Sequence, residues 1–146
     1  MPSYAHTETV AAPPSAVFAI LDNFDRTPEW LTRCTGIDKL EDGPNHVGTP
    51  IRYHYRDGRR SGTMDGEVAE REQDSRLTLH FVDKMTDVTV DFRTAVMGDQ
   101  TSLTHQIDIK TKGIGKLFTP MIRRALPKQT LDAMTRLKAL AESEAA

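Results

Sequence analysis

Three side chains in this sequence are of the types that acid–base chemistry needs. His6 and Glu8 stand two residues apart, so on an extended segment they share one face. His105 belongs to a second alternating run, Leu103, His105, Ile107 and Ile109. A carboxylate and an imidazole in a dry pocket can take a proton from the carbon beside a carbonyl and return it. A phenol, from Tyr53 or Tyr55, can hydrogen-bond the oxyanion that forms. Glu8, His6 and His105 are therefore the catalytic candidates. The same ligand types suit zinc, but no His-x-His or His-x-x-x-His spacing occurs, and no metal or cofactor is expected. A plainer role competes with catalysis: such groups satisfy one another, or line the space that holds a ligand. We read that role ahead of catalysis.

These residues need elements to position them. From Ile37 onward, turn signals recur at Asp42-Gly43-Pro44, Asp57-Gly58, Gln73-Asp74-Ser75, Asp83-Lys84 and Gly98-Asp99. Between them apolar and polar residues alternate. Ile51, Tyr53 and Tyr55 form one apolar set; Leu77, Leu79 and Phe81 another; Val88, Val90 and Phe92 a third. Turns this short predict an antiparallel meander with one apolar and one wet face. His54, His80, Asp91 and Arg93 fall on the wet face, where solvation and edge protection account for them. A further strand is predicted over Ser3–Ala12, ended by Pro13-Pro14.

Helical spacing follows at Val17, Phe18, Ile20, Leu21 and Phe24, and Thr27-Pro28-Glu29-Trp30 reads as a second short helix start. The longest helical pattern is carboxy-terminal, from Gly113 to Glu142, with Thr119-Pro120 as its start. Its apolar residues come in two sets, Met121 to Leu126 and Leu131 to Ala141. They are out of phase by a five-residue step, and Pro127 in the gap predicts a kink. A sheet with one apolar face and a helix with one apolar face must cover each other.

A chain of 146 residues fits one domain, taken here as 1–146. Hydrophobic residues make up 38%, and the net charge of −2 gives no general attraction to nucleic acid, so no specific nucleic-acid partner is expected. The start of the sequence has no signal-peptide pattern, no apolar run is long enough to span a bilayer, and the single cysteine, Cys34, has no internal partner; together these predict the cytoplasm. Cys34 is read as part of a loop with no nucleophile motif around it. Basic residues gather at Arg56, Arg59 and Arg60, and again from Lys110 to Lys128, where Arg123 and Arg124 follow Leu117, Phe118, Met121 and Ile122. That juxtaposition admits transient contact with an anionic membrane.

The order of elements, with Ala12-Pro13-Pro14-Ser15-Ala16-Val17-Phe18 after the first strand and Pro28-Glu29-Trp30 after the first helix, resembles the START-like superfamily. Its polyketide cyclase/dehydrase and lipid-transport (SRPBCC) branch is the most similar. There the motif usually reads A-P-x-x-x-V-W; Ala12, Pro13 and Val17 match it, and Phe18 replaces the tryptophan. Gly48-Thr49 before a strand and the leucine-bearing last helix are also similar. The resemblance spans essentially the whole chain. It implies an α+β helix-grip fold: a curved antiparallel sheet of about seven strands around a long carboxy-terminal helix, with two short helices after the first strand. It also implies a cavity that takes a small hydrophobic or amphipathic molecule. Val10 then points inward with Glu8, His6 and Tyr4, and the first and last strands pair, bringing His105 beside His6 and Glu8. The ligand-lining set expected on this basis is Tyr53, Tyr55, Leu79, Phe81, Val90, Phe92, His105 and Ile107, with Met121 and Met134 from the helix. Binding or transport is the leading expectation. A cyclase or dehydratase of a polyketide-like substrate is the alternative, and a co-chaperone-like interaction protein the third.

Overall fold

The computed structural model describes residues 2–145. Seven strands form one antiparallel sheet: β1 Ser3–Val10, β2 Cys34–Lys39, β3 Pro50–Asp57, β4 Arg60–Glu72, β5 Arg76–Val82, β6 Thr86–Met97 and β7 Gln100–Thr111. Their spatial order is β1-β7-β6-β5-β4-β3-β2. Helices α1 Pro14–Asp22 and α2 Thr27–Trp30 follow β1, joined by a 3-10 turn at Phe24–Arg26. A second 3-10 stretch, Gly113–Phe118, leads into α3, Thr119–Ala145, 27 residues long. This is the helix-grip arrangement, α+β, with the sheet around α3. Among the described residues no helix is long and apolar enough to cross a membrane.

Local sequence explains the elements. α1 starts with Pro14 in its first turn, where a missing amide hydrogen costs nothing, and buries Val17, Phe18, Ile20 and Leu21. Two of the β-hairpins, β3–β4 and β6–β7, turn at Gly58 and Gly98, whose φ values of 64° and 67° lie in the left-handed region that suits glycine. The strand alternation holds: Ile51, Val68, Leu77, Leu79, Phe81, Phe92 and Leu103 all lie buried on the inner face.

α3 departs from its predicted phase. Its buried residues are Leu126, Thr130, Ala133, Met134, Leu137 and Ala141, one continuous helical stripe. Thr130 fills the place that an apolar residue was expected to take, and Leu131 is 39% exposed. The five-residue slip between Leu126 and Leu131 therefore does not exist in space. Pro127 lies inside one uninterrupted helix. Cys34 is also corrected: it is the first residue of β2, and it is buried.

From Gln129 onward α3 is fastened to the rest of the chain. The Ala11 amide donates to Glu142 (2.8 Å), Arg26 pairs with Glu144 (2.5 Å), Thr32 donates to Asp132 (2.9 Å) and Arg33 to Gln129 (3.1 Å). On the other side of the core, Arg71 of β4 makes a two-pronged contact with Asp22 at the end of α1 (2.8 and 3.0 Å). Asn45 donates to the same carboxylate and to the Asp22 carbonyl, tying down the long β2–β3 connection. Burial pushes the Asp22 carboxyl up, but the hydrogen bonds from Arg71 and Asn45 outweigh it and hold the pKa below its ordinary value. Asp91, expected to be a solvated charge, sits on the third strand from an edge. Its side chain is 14% exposed and is held by Arg76 (3.0 Å), Arg93 (2.8 Å) and Thr78 (2.5 Å), an ionic clamp across β5 and β6.

Two inner-face glycines make room for aromatic rings. Tyr55 lies over its cross-strand partner Gly62, and Phe81 over its partner Gly66. A β-carbon on Gly62 would meet only the far end of Tyr55, which can swing away. A β-carbon on Gly66 would be driven into the His80 carbonyl as well as the Phe81 ring, and a sheet carbonyl cannot move alone. Gly66→Ala should therefore destabilise the fold by about 1–3 kcal/mol, and Gly62→Ala by distinctly less. Urea denaturation of the two variants checks this; equal losses would show that Phe81 does not need the space.

Candidate functional site

The sheet register assembles the predicted residues. On the inner face His6 pairs with His105, and His105 with Phe92; one row along, Tyr4 pairs with Ile107, Ile107 with Val90, and Val90 with Leu79. The first and last strands are thus neighbours, and β1 has its Tyr4, His6, Glu8 and Val10 face turned to the covered side. Leu79, Phe81, Phe92, His105 and Met134 are buried; Tyr53, Tyr55, Val90 and Ile107 are half-buried. Met121 is placed differently, 58% exposed on the outer side of the first turn of α3.

Burial falls off along β7. Leu103 and His105 are covered, while Ile107 and Ile109 are only half covered, as are their partners Val90 and Val88. Met134 and Leu137 from the fastened part of α3 lie fully covered at the closed end. The open end is an apolar strip of sheet formed by Val88, Val90, Ile107 and Ile109. Two open clefts lie outside this interior. One, of about 470 Å³, is bordered by Asp22, Asn45, Lys39 and Gln73 beside α1. The other, of about 380 Å³, lies along Arg76, Arg93, Thr94 and Thr104. Both are flanked by side chains engaged in the salt bridges and turns just described, which gives them a structural role.

The aromatic interior has a definite geometry. The His105 ring stacks on Phe92, centroids 4.3 Å apart and planes 19° apart. Trp30 meets the same Phe92 edge-on at 5.6 Å. Tyr53 stacks on Tyr55 at 5.9 Å and touches Phe81 at 5.2 Å. Within this cluster three buried nitrogens lack any protein hydrogen-bond partner: both ring nitrogens of His105 and Nε1 of Trp30. Leaving one such group unmet costs about 1–3 kcal/mol. Burial lowers the His105 pKa to about 4, so the ring is neutral near pH 7 and offers one donor and one acceptor. Burial raises the Tyr53 phenol above its ordinary pKa, so it is a donor rather than a base.

Glu8 stands apart from this cluster, at the seam between β1 and α3. His6 Nε2 lies 2.6 Å from its carboxylate, and Lys138 Nζ of α3 lies 3.5 Å away. The hydrogen bond from His6, opposed by some desolvation and helped by Lys138, holds the Glu8 carboxyl below its ordinary pKa. Burial alone would raise it; the two partners decide the sign. Among the described residues no group of three His, Cys, Asp or Glu side chains is arranged to hold a metal ion. Burial raises the Cys34 thiol to about 11, which leaves it unreactive.

Two contributors were not read from the sequence as site residues. Trp30 was read only as part of the second short helix, yet its indole N–H is a buried donor. Its being the only tryptophan of the chain was the available signal. Arg33 reaches over Tyr55 (6.0 Å to the ring centre) and ties it to Gln129 of α3; nothing local in the sequence marked that contact.

The neutral state of His105 gives a pH dependence of defined sign. Unfolded, the imidazole takes its proton near pH 6.5; folded, it does so only near 4. Its share of stability is therefore lost as pH falls between those values, by about 1.4 kcal/mol per unit, and levels off below. His105→Phe keeps the ring stack and removes the titration. Denaturation curves of the two proteins should diverge from pH 6.5 down to 4, the native one losing more; parallel curves would contradict the buried neutral ring.

Comparison with known proteins places this geometry. No curated protein matches the sequence significantly. Among solved structures, the Zhui aromatase/cyclase from Streptomyces sp. R1128 superposes with a TM-score of 0.81 at 15% identity, over 96% of this chain and 93% of that one. A START superfamily protein from Mycobacterium smegmatis gives 0.77 at 19% identity, over 97% of each chain. The di-domain ARO/CYC StfQ from the steffimycin biosynthetic pathway gives 0.78 at 14%, covering 98% of this chain and 51% of that one. At such identities these likenesses establish the fold. The sequence itself matches, over residues 1–142, the family model described as polyketide cyclase/dehydrase and lipid transport, and the chain belongs to that family, within the START-like superfamily.

Proposed function

We propose that the protein binds and carries a small hydrophobic molecule bearing a carbonyl or hydroxyl group, held between the inner face of the sheet and the first half of α3. The observation that carries this reading is the trio of unmet nitrogens on His105 and Trp30 at the inner end of an apolar strip. An apolar body would lie on Tyr53, Val90 and Ile107, and its polar end would meet the indole donor and the neutral imidazole. The family supports a ligand of this kind. The aromatase/cyclase neighbours suggest fused-ring or chain-like ketones among the candidates. We also place the carrier in the cytoplasm, in keeping with its one cysteine, a buried free thiol.

A second reading, cyclase or dehydratase, draws on the register that sets His105 directly opposite His6, which in turn binds Glu8. In it His105 moves the proton, Tyr53 or Tyr55 polarises an oxygen, and the His6–Glu8 pair orients the neighbouring strand. Binding ranks first because Glu8 is already engaged by His6 and Lys138, and an imidazole with a pKa near 4 is a weak base at neutral pH.

Trp30 reports on both readings, since it is the sole tryptophan and touches Phe92. Its fluorescence should change saturably with hydroxylated fused-ring ketones or long-chain acids. His105→Phe should weaken oxygenated ligands by about ten-fold or more and leave their hydrocarbon analogues unaffected. Equal effects on both ligand classes would sink the polar-end assignment. If a ligand from this panel is turned over, His105→Phe should abolish turnover while Glu8→Gln lowers it; turnover unchanged in both variants would remove the catalytic reading.

A further inference from the structure

The segment that joins β7 to α3 combines two features that the ligand reading does not use. Between Asp108 and Asp132 the chain has six cations, Lys110, Lys112, Lys116, Arg123, Arg124 and Lys128, and no carboxylate, in a protein whose net charge is −2. Lys112 pairs with Asp87 at 2.8 Å. The other five are exposed, and among the described residues none lies within 4.0 Å of a carboxylate. On the same segment three large apolar side chains point to solvent: Ile114, 71% exposed, Leu117, 79%, and Met121, 58%.

This presentation is built into the fold. Gly113, with φ 53°, turns the chain out of β7. Gly115 is buried so tightly against Met85 that no side chain fits there. The Lys112 amide donates to the Met85 carbonyl (2.8 Å), and the Gly115 amide to the Lys112 carbonyl (2.8 Å). The backbone is thus pinned to the start of β6, while Ile114 and Leu117 on either side of Gly115 face outward. The surface also adjoins the open end of the inner face, where Val88 and Ile109 are half-covered.

We infer that this segment docks on an anionic lipid surface. The apolar side chains, one per turn, would enter the interface between headgroups and acyl chains, and the flanking lysines and arginines would contact headgroup phosphates with their stems lying along the apolar boundary. Charge complementarity selects an anionic partner. The three protruding apolar side chains select a bilayer over an acidic protein, because ionic attraction alone leaves them in water. The contact would set the open end of the fold against the membrane. It does not depend on which ligand the interior takes.

The test is co-sedimentation of the purified protein with vesicles of phosphatidylcholine containing roughly a third phosphatidylglycerol, against phosphatidylcholine alone. Binding is expected only with the anionic vesicles, and is expected to vanish at about 1 M salt, where charges are screened within about 3 Å. Arg123→Gln combined with Arg124→Gln should weaken it about 30-fold. Leu117→Ser, at a position too exposed to matter for folding, should weaken it about ten-fold. Val96→Ser, an exposed apolar site at the far end of β6, should bind as the native protein does. Absence of binding to anionic vesicles at low salt overturns the inference. So does binding indifferent to Leu117→Ser, which would mark a purely ionic surface suited to an acidic protein instead.

Discussion

The structure depends on one packing contact, the buried stripe of α3 against the inner face of the sheet. A seven-stranded sheet with a continuous apolar face cannot leave that face in water, and α3 is the longest element available to cover it. The cover is uneven because its fastenings are uneven. From Gln129 onward, Gln129, Asp132, Glu142 and Glu144 tie the helix to the segment after α2, the β1–α1 turn and the 3-10 turn after α1. Before Gln129, the one comparable tie among the described residues is between the hydroxyls of Thr111 and Thr119 (2.8 Å). Met134 and Leu137 are consequently driven fully into the core, while Ile122 stays half-covered and Met121 remains outside. A closed end and an open end follow from where the polar anchors lie.

The chemistry inside follows from the same gradient. At the closed end water is excluded, so His105 is kept neutral and its nitrogens, with that of Trp30, go unmet by the protein. A protein of this size has a net stability of only about 5–15 kcal/mol. Buried polar atoms at about 1–3 kcal/mol each are a substantial charge on it, and a bound polar group would relieve part of that cost. At the seam beside α3 the opposite holds. Glu8 is partly solvated and meets both His6 and Lys138, so it is satisfied and contributes to joining β1 to the helix. Two sites of similar composition thus have opposite characters because one lies inside the packed face and the other at its margin.

Much of the architecture was legible because it rests on local rules. Alternation of period two in Ile51–Tyr55, Leu77–Phe81 and Leu103–Ile109 fixed the inner face, and Asp57-Gly58 and Gly98-Asp99 marked hairpins. The inward phase of β1 came from the family motif around Ala12-Pro13 rather than from its own residues, since neither of its faces is strongly apolar. Leu131 misled because apolar spacing alone cannot see that a threonine, Thr130, can fill a helix stripe when its methyl group packs and its neighbours exclude water. Asp91 looked like a solvated charge because its partners Arg76 and Thr78 lie on another strand, and sequence distance hides such clamps. The unmet nitrogen of Trp30 and the role of Lys138 beside Glu8 were out of reach for the same reason: each depends on what packs opposite from a distant part of the chain.

The central claim is the proposal that a small hydrophobic molecule is held between the inner face of the sheet and α3. Native mass spectrometry of the gently purified 16.3 kDa chain tests it most directly. The account predicts a stoichiometric added mass that is lost on denaturation and that extraction identifies as an apolar molecule with at least one oxygen. A chain that flies bare, and whose melting temperature is unmoved by long-chain acids and fused-ring ketones alike, would contradict it.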